Sequence, residues 1–280
     1  MKRQLRSVHQ PLSVTDGAGV KIKRLFPVST LDHVDPFLLF DHFGSEHSED
    51  FIAGFPLHPH RGIETVTYML EGQIKHSDSV GNSGVIAAGD VQWMSAGRGI
   101  MHEEMPERAD GKLSGMQLWV NLPATEKMKR PAYQEYKADS ITQFKLGEHQ
   151  IKLISGELLG RTGNVKNVSS LPLYADIVMQ KGDLNLHLPE EHHAFIYVFE
   201  GQVQVIGDDT SSQLKAPILA VLSQGSELMM TSDTTARFIL AAAQPIMEPI
   251  VRWGPFVMNT QQEIEQTLYE LRTGQFPPKD

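Results

Sequence analysis

Two pairs of residues in this chain have the types and spacing to hold a metal ion. The first is His58 and His60, in Phe55-Pro56-Leu57-His58-Pro59-His60-Arg61-Gly62-Ile63-Glu64. On an extended chain successive side chains point to opposite sides, so residues two apart share a side and these imidazoles can converge on one ion. The second is His102 and Glu104, in Gly97-Arg98-Gly99-Ile100-Met101-His102-Glu103-Glu104, where the same rule joins the two and turns Glu103 away. Three imidazoles and one carboxylate leave positions open on a six-coordinate ion, where dioxygen, water or a chelating substrate can bind. Such a site suits catalysis better than bracing. An isolated His-x-His is more often a surface or satisfied core pair. The second pair, and glycines around both, raise this one above that default.

Positioning two such pairs requires strands. Short apolar or alternating runs bounded by Gly, Asp, Asn and Pro dominate from Val20 to Leu240, and predict an all-β protein of sandwich or barrel type. The runs include 65–70, 85–87, 116–120, 151–155, 175–179, 194–199, 202–206 and 238–242. One helix is predicted near the end. Thr260 and Glu263 form a capping-box pattern, Ile264, Leu268 and Leu271 fall on one face, and Gly274 follows as a stop. Its apolar stripe is expected to dock on a barrel.

The charged, proline-bracketed stretch from Leu122 to Pro131 reads as the crossing between two halves. A repeat supports the cut: Tyr68-Met69-Leu70-Glu71-Gly72-Gln73-Ile74 resembles Tyr197-Val198-Phe199-Glu200-Gly201-Gln202-Val203. The expected domains are therefore 1–125, carrying the metal site, and 126–280, a second β unit with the helix.

Composition agrees with this organisation. A chain of 280 residues exceeds the usual single core. A net charge of −9 argues against a surface built on nucleic-acid phosphates. With no cysteine, any metal must sit on nitrogen and oxygen, and nothing points to an oxidising compartment. The basic start Met1-Lys2-Arg3-Gln4-Leu5-Arg6 leads into polar, proline-interrupted sequence instead of a signal core, and no apolar run is long enough to span a membrane. A cytoplasmic protein is expected.

The segments from His58 through Gly72 (His58-Pro59-His60-Arg61-Gly62-Ile63-Glu64-Thr65-Val66-Thr67-Tyr68-Met69-Leu70-Glu71-Gly72) and from Gly89 through Pro106 resemble the two signature segments of pirins, within the cupin superfamily. Further similarity runs through Asp35-Pro36-Phe37-Leu38-Leu39-Phe40-Asp41, Leu118-Trp119-Val120-Asn121-Leu122 and Arg252-Trp253-Gly254-Pro255-Phe256-Val257-Met258-Asn259. The resemblance implies a bicupin of two stacked β-barrels, with the metal held in the first by His58, His60, His102 and Glu104. It also implies a quercetin 2,3-dioxygenase activity: one divalent ion, Fe(II) first, with Zn, Mn, Co, Ni or Cu as alternatives, acting on a flavonol and dioxygen. In the wider cupin pattern the acidic ligand follows the His-x-His segment, a place Glu64 occupies here. Glu104 is the favoured acid and proton acceptor, with Glu64 in reserve. A non-catalytic regulator with a protein partner, its surface tuned by the metal, is the competing reading.

Carried into the second half, the repeat puts His187 where His58 was and Pro189 where His60 was, and near Met230 and Ser232 nothing replaces His102 and Glu104. The second site is expected to be empty. His192 and His193 read as loop histidines, and His9, His33, His42, His47, His76 and His149 lack partners at ligand spacing, although His76 lies just past the metal hairpin. Arg61 and Arg98 flank the ligand pairs and read equally as supports of the ligands or as surface charges.

Overall fold

A computed structural model describes residues 1–107 and 111–279. Two compact units form. One, called the metal unit because it contains the candidate ligands His58, His60, His102 and Glu104, comprises Leu12–Pro27, Phe37–Ala138 and Ile246–Asp280; the other comprises Met1–Pro11, Val28–Pro36 and Asp139–Pro245. This is not a single cut near residue 125. The first residues serve the second unit, where Leu5–His9 pairs with Ile218–Leu222, and the last residues serve the metal unit. The stretch that read as a crossing is anchored. Lys127 is buried in the metal unit, donating to Gly62 O, Asn121 Oδ1 and Val257 O at 2.8, 2.7 and 3.0 Å. Three acceptors compensate the burial of its ammonium. Ala132–Tyr136 then adds a strand to the same unit, and the chain leaves it only after Ala138.

The metal unit has two antiparallel sheets. The seven-stranded sheet runs Ala132–Tyr136, Val91–Ser95, Ile63–Glu71, Leu113–Asn121, Phe37–Ser45, Val20–Phe26, Leu12–Asp16. The four-stranded sheet runs Phe55–His60, Ile100–Pro106, Gln73–Asp78, Ser83–Ala87. These two sheets face each other as a β-sandwich that does not close into a barrel, and the all-β architecture is as expected. Met69, Phe43 and Ile22 from the larger sheet pack with Ile74 and Ile86 from the smaller. Each such side chain contributes about 1.5–3 kcal/mol on burial. One end of the interior is thus apolar, leaving the remainder to the polar residues below.

The hairpin Val251–Trp253/Phe256–Met258 and the helix Gln261–Arg272 complete this unit. The helix opens with the predicted Thr260–Glu263 capping box, and Gly274, at φ 72°, ends it in a conformation that favours glycine. Its buried face differs from the expected stripe: Ile264 and Thr267 are buried and Leu268 is half-buried, whereas Leu271 is exposed. Arg61 causes the difference. Its buried guanidinium donates to Thr267 Oγ1 at 2.8 Å, Glu270 Oε2 at 2.6 Å and the Arg98 carbonyl at 2.6 Å, so a polar face turns inward.

The second unit repeats the plan. Its seven-stranded sheet runs Leu5–His9, Ile218–Leu222, His193–Glu200, Ala236–Ala243, Leu173–Met179, His149–Ser155, Thr142–Leu146, and its four-stranded sheet runs Gly182–His187, Glu227–Ser232, Gln202–Ile206, Ser211–Lys215. The repeat seen in the sequence is one crossing in each unit from the seven-stranded to the four-stranded sheet, turning at Gly72 and Gly201, whose φ angles are 74° and 71°. The interior here is apolar: Leu184, Leu186, Leu228 and Met230 pack together where strand Gly182–His187 pairs with Glu227–Ser232.

Candidate metal centre

Cross-strand register gathers the candidate ligands on the inner face of the four-stranded sheet. His58 lies directly opposite His102, and Glu104 directly opposite His76. A register shift between His102 and Glu104 sets Glu104 against Phe55 on the other side. His58 Nε2 and His60 Nε2 lie 3.1 Å apart, and the His102 ring centroid lies 4.3 Å from that of His58 and 4.9 Å from that of His60.

These residues fit an ion. Nitrogens bound to one metal at about 2.1 Å and a right angle apart stand about 3.0 Å from each other, close to the separation of the His58 and His60 nitrogens. His58 Nδ1 donates to the Pro56 carbonyl at 2.8 Å, which leaves Nε2 with its lone pair. His102 Nε2 is buried and has no hydrogen-bond partner among the described residues, a costly state that a bound ion would relieve. Burial pushes the pKa of His58 down and those of His60 and His102 well down, and neighbouring histidines add to the effect at the latter two. The rings are therefore neutral and ready to coordinate. The donor atoms of His58, His60 and His102 lie within 4.8 Å of one another, and those of His76, His102 and Glu104 do likewise, so His102 belongs to both groups. Among the described residues, both such groups lie in this unit.

Glu104 is nearly fully buried, and burial raises its pKa to about 7 against a lowering by Thr67, whose hydroxyl donates to Oε1 at 2.8 Å. The same hydroxyl lies 2.7 Å from the side-chain amide of Gln117. Beside the centre is a cavity of about 550 Å³, walled by His58, His60 and Glu104, the rings of Phe43, Phe55 and Trp119, and a polar side of Arg24, Asp41 and Gln117. Trp119 meets His60 edge-on at 5.0 Å and carries Arg252 over its face at 5.0 Å. Arg24 grips Asp41 through two bonds, at 3.0 and 2.8 Å.

Glu64 is not among these groups. It sits three residues before Thr67 on a regularly paired strand, and therefore on the opposite face. There its buried carboxylate accepts from Trp93 Nε1 at 3.0 Å and Lys129 Nζ at 3.1 Å. In this geometry the Glu64 carboxylate, the acid expected in reserve, faces away from the histidines. Arg61 supports the helix, not the ligands. His76, given little weight from spacing, is fully buried against His102 with the rings 5.3 Å apart. Thr67, Gln92 and Gln117 were missed. Their only signal in the sequence is a polar side chain at an inward position of an otherwise apolar strand; Thr67 and Gln92 find Glu104 and His76 across the sandwich, and Gln117 finds Thr67 on the neighbouring strand.

Comparison with known proteins agrees with the architecture. The Pirin family profile matches residues 19–120 and the Pirin C-terminal cupin domain profile matches residues 174–277. A pirin-like protein of Caulobacter vibrioides is 41% identical over 270 residues, covering 95% of this chain and 96% of its own length. Human pirin is 39% identical over 262 residues, covering 92% and 88% respectively. The crystal structure of a quercetin 2,3-dioxygenase from Acinetobacter baumannii superposes with a TM-score of 0.89 at 34% identity, covering 99% of both chains.

Proposed function

The chain belongs to the pirin family, and on that premise we propose that it is a metal-dependent dioxygenase of the quercetin 2,3-dioxygenase type, opening flavonols with dioxygen at a mononuclear centre. His58, His60, His102 and Glu104 hold the ion, for which we take Fe(II), although nitrogen and oxygen donors also accept Zn, Mn, Co, Ni or Cu. The observation that carries the reading is the opening of His58, His60 and Glu104 onto a cavity with aromatic walls. A volume of about 550 Å³ lies within the range of small-molecule sites.

When bound, the ion supplies Lewis acidity toward the adjacent oxygens of a chelating substrate and lowers the pKa of a coordinated hydroxyl. The protein supplies the rest. Phe43, Phe55 and Trp119 offer apolar surface to a flat aromatic substrate and exclude water from one side of it. Glu104 is the carboxylate placed to accept a hydroxyl proton, and Thr67 holds it in place. The charge of Arg24 is offset by Asp41, so the polar wall orients hydroxyls without presenting an isolated cation.

A second reading, a metal-tuned regulatory protein that binds a partner, draws on Leu57 and Trp253. Both are exposed on segments whose neighbours line the cavity. The deciding experiment is metal analysis of protein purified without chelators, then oxygen uptake with quercetin after anaerobic Fe(II) reconstitution. The dioxygenase reading expects one ion per chain and metal-dependent uptake. One ion without uptake transfers the weight to the regulator, and no ion removes the centre.

A further inference from the structure

Behind His102, on the side away from His58 and His60, a second histidine and a carboxylate stand in line. His76 Nε2 lies 3.4 Å from Asp78 Oδ2, and His76 Nδ1 lies 3.4 Å from His102 Nδ1. Gln92 Nε2 approaches the same His76 Nδ1 at 3.0 Å. All three side chains around His102 in this line are buried, and the His76 ring is stacked on Tyr133, with centroids 4.9 Å apart.

The proton positions follow from these contacts. The Asp78 carboxylate accepts, so the His76 proton sits on Nε2 facing it, and His76 Nδ1 is left to accept from Gln92 Nε2. His102 Nδ1 faces that same lone pair and must carry hydrogen, sharing it with Gln92 in a longer three-centre contact, because two lone pairs 3.4 Å apart would repel. His102 is left with its lone pair on Nε2, the buried nitrogen without a partner. Asp78 is itself held by Val80 N, Asn82 N and Asn82 Nδ2 at 3.0, 2.9 and 2.9 Å, so the line begins from a fixed turn.

We propose that His76, oriented by Asp78 and Gln92, is a positioning residue that fixes the Nδ1-protonated tautomer of His102 and presents Nε2 to the metal. This rests on the metal-centre reading but can be tested apart from it. His76 thereby leaves the ligand set, although its nitrogen is close enough to be counted with His102 and Glu104. A hydrogen bond to the far nitrogen of a ligating histidine fixes ring and tautomer, and losing such a partner weakens metal binding by about 10–100-fold.

The test uses two variants. H76F keeps a flat ring beside Tyr133 but offers no acceptor; H76N places a carbonyl oxygen where Nδ1 stood. Long-range nitrogen–proton NMR of metal-free, 15N-histidine-labelled protein reads the His102 tautomer. Titration with cobalt(II) reads affinity, and its visible spectrum reads the ligand set. The relay expects Nδ1-protonated His102 in the unaltered protein and in H76N, and a mixed or Nε2-protonated ring in H76F. It also expects H76F to bind cobalt(II) about 10–100-fold more weakly, recovery in H76N, and one shared spectrum. A His102 tautomer indifferent to H76F overturns the proposal, as does a cobalt spectrum changed in both variants, which would make His76 a ligand. If the unaltered protein takes up no cobalt(II), the metal-centre reading fails, while the His102 tautomer in metal-free protein still decides the relay.

Discussion

Thr67 donates its hydroxyl hydrogen to Glu104 Oε1 at 2.8 Å, joining the seven-stranded sheet of the metal unit to the four-stranded one. The bond holds a buried carboxyl whose pKa is raised from 4.5 to about 7, chiefly by desolvation. Since the folded value lies above the unfolded one, the stability linked to this group is intact below pH 4.5 and drains away as pH rises through 7. In chelated protein, E104Q is therefore expected to be more stable than the unaltered chain at pH 8, by up to ~3 kcal/mol, and nearly equal to it at pH 4.5. Urea denaturation at the two pH values checks this. A variant destabilised at pH 8 would show that the carboxylate is compensated in the metal-free fold.

His60 is a ligand whose loss separates metal binding from folding. H60A should bind no Fe(II) and consume no oxygen with quercetin. Its chelated form should lose about 0.5–3 kcal/mol of stability, the range typical of a single substitution. The unaltered protein should gain about 2.7 kcal/mol when free metal stands a hundredfold above Kd, and H60A should gain nothing. Thermal shift with and without chelator reads both effects. Metal-dependent stabilisation surviving in H60A would place the ion elsewhere.

Glu64 and Glu104 should part in opposite ways. E64Q leaves the centre intact but weakens the buried contacts with Trp93 and Lys129, so metal content stays at the level of the unaltered chain while stability falls by about 1–3 kcal/mol. E104Q loses a ligand instead. Metal analysis of the two purified variants, beside their denaturation midpoints, makes the comparison, and metal loss in E64Q would restore it as a ligand.

Parity along a strand carried the pairing of His58 with His60 and of His102 with Glu104 into the sequence, because it depends on the chain alone. Cross-strand partners do not. His76 faces Glu104 and His102 through the pairing of strands Gln73–Asp78 and Ile100–Pro106, and its own neighbours give no sign of this. Glu64 misled for the same reason, since position in a motif carries no information about which face of the sheet the side chain takes. Lys127 looked like linker charge, and only the fold brings Gly62 and Val257 within reach of its ammonium. The exchange of terminal segments between the units was hidden too. Strand Leu5–His9 finds its partner in Ile218–Leu222, a pairing no local pattern announces.

Arg61 follows the metal pair in sequence yet acts on the C-terminal helix, and this supports a last prediction. Its guanidinium bonds Thr267, Glu270 and the Arg98 carbonyl, and lies over the Phe276 ring at 5.0 Å. Methionine keeps most of the volume and none of the donors, leaving Glu270 without its partner and Thr267 facing a thioether. R61M should destabilise the protein by about 3–5 kcal/mol, the range for breaking a buried ion pair from one side. The loss should be local first: amides of Gln261–Arg272 should exchange hydrogen faster, while strands Phe55–His60 and Ile100–Pro106 keep their protection and the centre its metal. Hydrogen-exchange mass spectrometry together with metal analysis tests both parts. Metal loss with an unchanged helix would mean that Arg61 serves the ligands after all, whereas fast exchange confined to the helix establishes it as the clasp between strand Phe55–His60 and the C-terminal helix.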